Sequence, residues 1–240
     1  MTAMPPIAVL AGGVATRMMP LTQQVPKALL PVAGEPFIAH QLRLFRREGI
    51  TKAVLCVAHL SAEIEAFVGD GGAFGIDVEY SHDGPVRLGT GGALRKALPR
   101  LGDEFLVIYG DSYLDIDYRS VVAAFRSSGK LGLMAVLHNQ GRWDTSNIEY
   151  VAGRIVAHAK PPMPGMAHID YGLSVLRRET LAGRAPDSEF DLSDIYGELI
   201  EVGQLAGYEV TKRFYEIGSR QGLQEANDYI MATKAGVQAS

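Results

Sequence analysis

The stretch from Leu10 to Lys27 combines the two features that a phosphate site requires, an accessible backbone and positive charge. Gly12 and Gly13 follow a short apolar run, and residues without a Cβ let backbone N–H groups approach anionic oxygens closely. Arg17 can hold two such oxygens in a planar fork, whereas Lys27 supplies a mobile point charge. These residue types together suit the binding of a triphosphate.

Two common phosphate motifs do not describe this stretch. Gly-Lys-Ser/Thr does not follow either glycine at the spacing of a Walker A loop. The G-x-G-x-x-G pattern fails because Ala15 and Met18 occupy the later glycine positions. A surface turn between a strand and a helix, carrying a stray basic residue, therefore stays open as an alternative from these residues alone.

Asp111 follows the apolar run Phe105–Tyr109 and Gly110, an order that predicts a carboxylate at the mouth of a buried strand. We expect Mg²⁺ as the cofactor, because this hard cation keeps several waters and needs only one or two carboxylates beside phosphate oxygens. Asp115 and Asp117 lie just beyond and are interpreted as solvated loop acids.

Covalent catalysis is not indicated by the sequence. No two of the six histidines have a metal-ligand spacing, and G-x-S-x-G does not occur. The single cysteine, Cys56, lies in an apolar run and is expected to pack in the core. A phosphate nucleophile is already ionised near neutral pH, so direct in-line attack on a phosphorus needs no protein base.

Short apolar runs alternate with longer amphipathic segments, which predicts an α/β fold built from β-α-β units. The last part of the chain mixes short alternating pieces with prolines, and we place a soft boundary near residue 130, between a nucleotide-binding core (1–130) and a sugar-phosphate-binding portion (131–240) of one domain. The predicted strands are Ile7–Leu10, Ala53–Val57, Val78–Tyr80, Phe105–Tyr109, Leu131–His138 and Ile169–Leu176, with edge pieces at Ile148–Val151 and Ile155–Ala157. The predicted helices are Pro36–Glu48, Ser61–Val68, Thr90–Leu101, Tyr118–Ser127, Ser193–Glu201 and Ser219–Ala232.

Composition excludes several classes of protein. A net charge of −4 and a pI of about 5.9, without any long basic run, argue against a nucleic-acid partner. No apolar run approaches the roughly 18 residues that cross a bilayer, and the first residues do not resemble a signal peptide. We therefore expect a cytoplasmic protein without a membrane partner, either a monomer or a small homo-oligomer.

The segment LAGGVATRMMPLTQQVPKALLPVAGEPFI resembles the opening signature of the sugar-1-phosphate nucleotidyltransferases, the pyrophosphorylases that make nucleotide sugars. GTGGALRKAL from Gly89, FLVIYGDSYL from Phe105, IDYGLSVL from Ile169 and RFYEIGSRQGL from Arg213 match later segments in the family's order. The GTGGA and GDSY forms are most similar to short bacterial enzymes that activate heptose 1-phosphate with GTP or N-acetylmuramic acid 1-phosphate with UTP. The resemblance implies a Rossmann-like, three-layer α/β/α (GT-A-like) fold with a mixed, mostly parallel central sheet.

The resemblance also implies roles for individual residues. Thr90 takes a position that faces the base in related sequences, and N-capping of the following helix is its alternative role. The implied catalytic residues are Arg17, Lys27 and Asp111. The implied nucleotide-binding residues are Leu10, Ala11, Gly12, Gly13, Thr16, Arg17, Lys27, Gly89, Thr90, Gly91 and Asp111.

Sugar recognition departs from the family pattern at one position. Ala159 stands where many members carry a glutamate that bonds the sugar, so Glu149 or His158 is expected to substitute for it. The sugar-phosphate-binding residues implied by the resemblance are Gly110, Glu149, Lys160, Asp170, Tyr171 and Gly172.

The second metal ligand implied by the family is an Asp, and Glu216 stands in its place. We expect Asp111 and Glu216 to bind the metal, because one extra methylene still allows a carboxylate to reach it, either directly or through a water. The alternative is that Glu216 caps the helix beginning near Ser219.

The implied reaction transfers a nucleotidyl group from an NTP to a sugar 1-phosphate and releases pyrophosphate. GTP with a heptose or related sugar 1-phosphate is the first expectation, and UTP, CTP or ATP with another sugar 1-phosphate or a phosphorylated small alcohol is the alternative. Ala15, Ala159 and Glu216 also leave open a nucleotide-sugar sensor or regulatory subunit without turnover.

Overall fold

The computed structural model describes residues 3–13, 18, 25–58, 60–84 and 87–238, with side chains to residue 235. The predicted site residues Thr16 and Arg17 lie outside these ranges. The strands are β1 (Ile7–Leu10), β2 (Pro31–Val32), β3 (Glu35–Pro36), β4 (Lys52–Val57), β5 (Asp77–His82), β6 (Glu104–Tyr109), β7 (Ser112–Tyr113), β8 (Gly132–His138), β9 (Ile148–Val151), β10 (Arg154–His158), β11 (His168–Arg177), β12 (Leu205–Val210) and β13 (Tyr215–Glu216). The helices are α1 (Phe37–Arg47), α2 (Ser61–Val68), α3 (Gly89–Ala97), α4 (Tyr118–Ser128), α5 (Glu179–Ala182), α6 (Leu192–Glu201) and α7 (Arg220–Gln238).

Nine of the strands in these ranges form one sheet in the order β5-β4-β1-β6-β11-β8-β12-β10-β9. Two cores lie on its two faces: α1, α2 and α4 contribute to one, whereas α3, α5 and α6 contribute to the other. The predicted mixed sheet between two helical layers is confirmed. Parallel pairs are fewer than predicted, because β11 runs antiparallel between β6 and β8, and β9 and β10 form an antiparallel edge hairpin.

Most predicted elements are present with boundaries shifted by one or two residues, and β1, α2 and β9 have the predicted bounds. Strand β12 was not predicted. Gly207 interrupts its apolar pattern, and a Cβ there would lie 2.6 Å from the ring of Tyr150. Gly207 thus obscures the apolar pattern of β12 in the sequence, and its missing side chain lets the β9–β10 hairpin pack against β12.

Asp115 and Asp117 are not the free loop acids that the sequence predicted. Asp117 is the N-cap of α4 and accepts hydrogen bonds from the backbone N–H groups of Arg119 and Ser120. Asp115 accepts hydrogen bonds from Arg47, Lys212 and Tyr229 and joins α1 to the C-terminal part of the chain. Both acids therefore hold the scaffold around the turn that follows β6.

No helix in the described part of the chain has the length and apolar character needed to traverse a bilayer.

Candidate active site

The carboxyl ends of β1, β4 and β6 open into a cavity of about 410 Å³. Open α/β sheets bind ligands at this edge, outside the carboxyl ends of parallel strands. Its lining comes from segments that are distant in sequence, among them the glycine-rich loop (residues 10–13), the stretch after β5, the start of α3, the turn after β6 and the stretch before α6. Its described lining is Leu10, Ala11, Gly12, Gly13, Lys27, Ala28, Cys56, Asp83, Arg87, Gly89, Thr90, Ala93, Tyr109, Gly110, Asp111, Glu189 and Asp191.

The two glycines of the predicted phosphate loop have different surroundings. A Cβ at Gly12 would lie 3.3 Å from the Cβ of Ala58 and 3.4 Å from Oδ2 of Asp83, so neighbouring side chains restrict this position. A Cβ at Gly13 would meet nothing within 4 Å among the described residues. Gly13 thus leaves its backbone accessible from the cavity, as a phosphate loop requires.

Lys27 and Asp111 meet on one side of the cavity. Nζ of Lys27 lies 2.5 Å from Oδ2 of Asp111, and their side chains are 16% and 32% exposed. Asp111 occupies the turn between β6 and β7, and Gly110 before it is pressed against β1. A Cβ at Gly110 would lie 2.9 Å from both the Cα of Ala11 and the carbonyl oxygen of Leu10. The close contact with β1 therefore requires glycine here and fixes where Asp111 leaves the sheet.

Glu216 reaches the same place from β13. This strand pairs antiparallel with β7, and the N–H of Ile217 donates to the carbonyl oxygen of Asp111 at 3.0 Å. A Cβ at Gly218 would collide with Oε2 of Glu216 and would lie 3.0 Å from Nζ of Lys27 and 3.5 Å from Oδ2 of Asp111. Two carboxylates and an ammonium thus converge on the space that Gly218 leaves free.

Glu216 also contacts the beginning of α7. Its Oε1 accepts a hydrogen bond from the hydroxyl of Ser219 at 2.9 Å, and its Oε2 accepts one from the N–H of Gly218. The two predicted roles of Glu216 are therefore compatible, because one carboxylate supports the helix start while facing Asp111 and Lys27.

The space between Asp111 and Glu216 suits a small hard cation. Carboxylate oxygens are the donors that Mg²⁺ prefers, and two of them leave most of its shell to waters and phosphate oxygens. The side chain that would fill this space is missing at Gly218. The donor set fits a magnesium ion held jointly by the protein and a polyphosphate.

Thr90 is tied to the beginning of α6. Its hydroxyl donates to Oδ1 of Asp191 at 3.2 Å and accepts from the N–H of Leu192 at 2.8 Å. Thr90 is itself the second residue of α3, whose N-cap is Leu88, so the predicted capping of its own helix is wrong. Its position in the cavity lining keeps the predicted contact with a base geometrically open.

The glycines on either side of Thr90 serve packing against Phe190. Gly89 has φ of +71° and lines the cavity, whereas Gly91 is buried and lies outside the lining. A Cβ at Gly91 would overlap the ring of Phe190, and its N–H donates to the carbonyl oxygen of Phe190 at 3.0 Å. Phe190 thus covers one face of Gly91, and nucleotide binding by Gly91 stays a prediction.

Asp83 is a cavity residue that sequence reasoning missed. Burial raises the pKa of its carboxyl group, against the opposing charges of Lys96 and His82. Its Oδ1 is buried without a hydrogen-bond partner among the described residues, and its Oδ2 faces Gly12. Oδ2, the oxygen on the Gly12 side, is the acceptor that an N–H group of a ligand in the cavity could reach. The sequence offered only a weak signal, a lone acid after β5.

Asp170 and Gly172 lie near Tyr109, which lines the cavity. Burial raises the pKa of Asp170 to about 6, although the N–H of Gly172 and the charge of Lys160 act to lower it. Gly172 has φ of +90°, and its N–H donates to Oδ1 of Asp170 at 2.9 Å. Neither residue is among the described residues that line the cavity, and their contact with a sugar stays a prediction.

Tyr171 points away from this group. Its ring is 2% exposed in the core on the opposite face of the sheet, at right angles to the ring of Phe214. Neighbouring residues of a strand face opposite sides, so Asp170 and Tyr171 cannot both present side chains to the sugar. The predicted sugar contact of the Tyr171 side chain is therefore wrong.

His158 is better placed than Glu149 to substitute for the glutamate that many family members carry at the position of Ala159. In the β9–β10 pairing His158 lies opposite Ile148, whereas Glu149 lies opposite Ala157 and so faces the other side of the hairpin. A nitrogen of His158 lies 3.3 Å from Nδ2 of Asn147. The strand register thus removes Glu149 from the predicted sugar contacts.

Asn147 joins His158 to the sugar side of the cavity and was not predicted. Its Oδ1 accepts a hydrogen bond from the N–H of Asp170 at 3.4 Å. Lys160 is exposed; burial and then the charge of Lys160 lower the pKa of His158, and the same charge partly opposes the rise that burial causes in the pKa of Asp170. Polar groups of β10, β11 and the loop before β9 are therefore linked to one another, and a Cβ at Gly172 would lie 3.5 Å from the ring of Tyr109.

A family model described as nucleotidyl transferase matches residues 7–145, more than half of the chain. The chain is 42% identical over 225 residues to an N-acetylmuramate alpha-1-phosphate uridylyltransferase of Neisseria meningitidis. The alignment covers 91% of this chain and 95% of that protein. The chain belongs to the nucleotidyl transferase family. The predicted resemblance to sugar-1-phosphate nucleotidyltransferases is thereby confirmed.

Other members of the nucleotidyl transferase family match more distantly. A D-glycero-alpha-D-manno-heptose 1-phosphate guanylyltransferase of Campylobacter jejuni is 31% identical over 109 residues, 45% of this chain and 48% of that protein. The chain spans about 60% of the length of several longer uridylyl- and guanylyltransferases. The solved structure of HddC from Yersinia pseudotuberculosis with GMP-PN has a TM-score of 0.77 at 20% identity and covers 95% of this chain and all of that one, which supports the fold.

Proposed function

We propose that this protein transfers a uridylyl group from UTP to N-acetylmuramate 1-phosphate, with release of pyrophosphate and with Mg²⁺ as the cofactor. The convergence of Lys27, Asp111 and Glu216 at the cavity mouth carries the proposed chemistry. The match to the Neisseria uridylyltransferase across nine tenths of the chain supports the choice of substrates.

The charges of the site residues give them different roles in the proposed reaction. Lys27 offers a point charge that can follow a phosphate oxygen as negative charge moves onto the departing pyrophosphate. Arg17 is proposed to hold further phosphate oxygens on the basis of its place in the glycine-rich loop. Asp111 and Glu216 would hold Mg²⁺, which when bound stabilises the charge on the phosphate oxygens.

The acceptor phosphate needs no base to become a nucleophile, because its oxygens are ionised near neutral pH. The only thiol of the chain, Cys56, is 1% exposed, and burial raises its pKa to about 12. A thiolate nucleophile is therefore disfavoured, and the residues of the site act by positioning and by charge.

Guanylyl transfer is the second candidate, and Asp83 favours it. A carboxylate can accept two N–H bonds from the edge of guanine, whereas the edge of uracil offers one N–H between two carbonyl groups. Asp83 lines the cavity with Oδ2 on the Gly12 side, where its carboxylate can accept from such N–H groups. GTP with a heptose 1-phosphate, the first expectation from the sequence, stays a prediction.

The proposal is tested by measuring pyrophosphate release. UTP, GTP, CTP and ATP are each combined with N-acetylmuramate 1-phosphate, a heptose 1-phosphate or glucose 1-phosphate. We expect release only when Mg²⁺ and both substrates are present, and the highest kcat/KM for UTP with N-acetylmuramate 1-phosphate. A preference for GTP with the heptose would replace the first candidate by the second. NTP binding without release in any combination would instead support a sensor.

Asp83→Asn supplies a matched comparison of the bases. An amide replaces one acceptor oxygen by a donor, which suits the edge of uracil better than that of guanine. We expect the ratio of UTP to GTP turnover to rise about tenfold, which corresponds to about 1.4 kcal/mol. An unchanged ratio would remove Asp83 from base recognition and leave the reaction class unaffected.

A further inference from the structure

Gln41 is a polar residue buried in the apolar face of α1, with 1% of its surface exposed. Its Nε2 donates hydrogen bonds to the carbonyl oxygens of Ser112, at 2.8 Å, and of Tyr109, at 3.3 Å. These two carbonyl groups lie immediately before and after the pair Gly110–Asp111. One amide group therefore spans the turn that carries the Asp111 carboxylate.

The orientation of this amide follows from its partners. Both partners are carbonyl oxygens, so the NH₂ group must face them, and Oε1 is left buried without a partner among the described residues. A buried unpaired acceptor lowers stability, and an apolar side chain of similar size would avoid that cost. Stability of α1 alone thus does not account for a glutamine at this position.

The turn has two other attachments. The N–H of Gly110 donates to the carbonyl oxygen of Leu10 at 3.0 Å, and the carbonyl oxygen of Asp111 accepts from Ile217 at 3.0 Å. These bonds fix the turn to β1 and to the residue after β13. Gln41 adds an attachment to α1, whose neighbouring residues Ile38 and Leu42 are buried in the core. The turn is thereby held from three directions.

We propose that Gln41 is a positioning residue that fixes the direction of the Asp111 carboxylate toward Glu216 and Lys27. The inference rests on the proposed function, in which Asp111 holds Mg²⁺. A displacement of about 1 Å in a catalytic group can reduce turnover roughly a hundredfold, so a small relaxation of this turn has a large effect. Gln41 itself touches neither substrate nor metal in this role.

Gln41→Met tests the role, because methionine has a similar length and no N–H group. We expect kcat to fall about tenfold to a hundredfold and the Mg²⁺ concentration for half-maximal rate to rise, with little change in the KM for the NTP. Hydrogen–deuterium exchange without substrates or metal should quicken in the peptide containing residues 110–113. This second readout does not depend on the reaction.

His40→Leu is the matched control on the same helix. His40 is also buried, at 5% exposure, and its Nε2 bonds the carbonyl oxygen of Val32 at 2.7 Å, away from the Asp111 turn. The His40→Leu variant should lower the melting temperature without quickening exchange at 110–113 and without changing the Mg²⁺ requirement. An equal loss of kcat in this control would show that any disturbance of α1 suffices and would overturn the inference.

Gln41→Glu gives a second variant in case Gln41→Met does not fold. A protonated acid can donate one hydrogen bond to these carbonyls, whereas a carboxylate repels both, so activity relative to wild type should fall as the pH rises. The inference would be overturned if both Gln41 variants had the turnover, the Mg²⁺ dependence and the exchange of the wild-type protein. A wild-type protein without pyrophosphate release would refute the proposed function, while exchange at 110–113 would still decide whether Gln41 holds the turn.

Discussion

Lys27 and Asp111 form an ion pair at the cavity mouth, with Nζ of the lysine 2.5 Å from Oδ2 of the aspartate, although 84 positions separate them in the sequence. The pair places a positive charge beside a carboxylate that would otherwise repel a triphosphate. A lysine ammonium rotates freely on its stem and can contact a phosphate oxygen while staying near the carboxylate. The pair thus joins the part of the site that binds phosphate to the part that binds metal.

Lys27→Met and Asp111→Asn should each reduce kcat for pyrophosphate release about a hundredfold or more, because each removes a preorganised charge from the site of charge transfer. Arg17→Ala is expected from the sequence to have a similar effect. Lys52→Met is a suitable control, since Lys52 pairs with Glu79 on the surface. If a Lys27 variant raised KM and left kcat unchanged, Lys27 would bind the substrate and the transition state equally well.

Glu216→Gln separates metal binding from support of α7. The amide keeps the size of the side chain and an oxygen that can accept from Ser219, but it removes the charge. We expect a clear rise in the Mg²⁺ concentration for half-maximal rate, with little change in the melting temperature measured without ligands.

Ser219→Ala is the partner variant for Glu216. It removes the hydroxyl that donates to Glu216 and accepts from the N–H of Gly222, so it should weaken the beginning of α7 with a smaller effect on Mg²⁺ dependence. The reverse pattern, with an unaltered Mg²⁺ requirement and a lower melting temperature for Glu216→Gln, would leave Asp111 as the sole protein carboxylate on the metal.

Local sequence features predicted much of the fold and the centre of the site. The apolar runs of β1 and β6 end at Gly12 and at Gly110, and parallel strands bring those ends to one edge of the sheet. For this reason the glycine-rich loop and Asp111 could be placed together from the sequence. The charge of Lys27 and its place after the glycines added it to the phosphate site, whereas Glu216 was added through the family resemblance, which carries information that spacing alone does not contain.

The errors concern the faces that residues present. Tyr171 and Glu149 were assigned to the sugar, and strand register turns both side chains to the other face. Gly91 was counted among the nucleotide-binding residues, but Phe190, about a hundred residues later, covers one face of it. Such contacts depend on pairings between distant segments, and one sequence does not reveal them. Asp83 was missed for the same reason, since only the fold brings it next to Gly12.

Asp170→Asn should make the protein more stable at high pH and less active. Burial raises the pKa of Asp170 from 3.8 to about 6, so the folded state favours the protonated acid. This contribution to stability is complete below pH 3.8 and is lost as the pH rises through about 6. The variant should therefore exceed wild type by up to about 3 kcal/mol in unfolding free energy at pH 8, and the difference should disappear near pH 4.

The same variant tests sugar binding. The amide oxygen can still accept from the N–H of Gly172, so the local backbone is retained. If Asp170 holds a sugar hydroxyl, kcat/KM for the sugar 1-phosphate should fall about tenfold or more at pH 8, since a charged acceptor is lost. Equal kcat/KM values at pH 8 would remove Asp170 from the sugar contacts, whatever the stability measurement shows.

Asp115→Asn should destabilise the protein in a manner that depends on pH. Burial alone would raise the pKa of Asp115, but hydrogen bonds from Lys212, Tyr229 and Arg47 lower it to about 2. A carboxyl group with a lowered pKa contributes stability above its unfolded value of 3.8, and that stability is lost as the pH falls through about 2. Because Arg47 and Lys212 are about half exposed, solvent screening reduces the expected contribution to about 1–2 kcal/mol.

Urea unfolding at pH 7, 4 and 2.5 measures this contribution directly. Asp115→Asn should lose about 1–2 kcal/mol at pH 7, and the difference from wild type should shrink at pH 2.5, where protonation weakens the same contacts in wild type. Asp77→Asn, at an exposed position of β5, should match wild type throughout. A constant loss at all three pH values would mean that Asp115 acts through packing and neutral hydrogen bonds, and that its charge does not hold α1 to the C-terminal part of the chain.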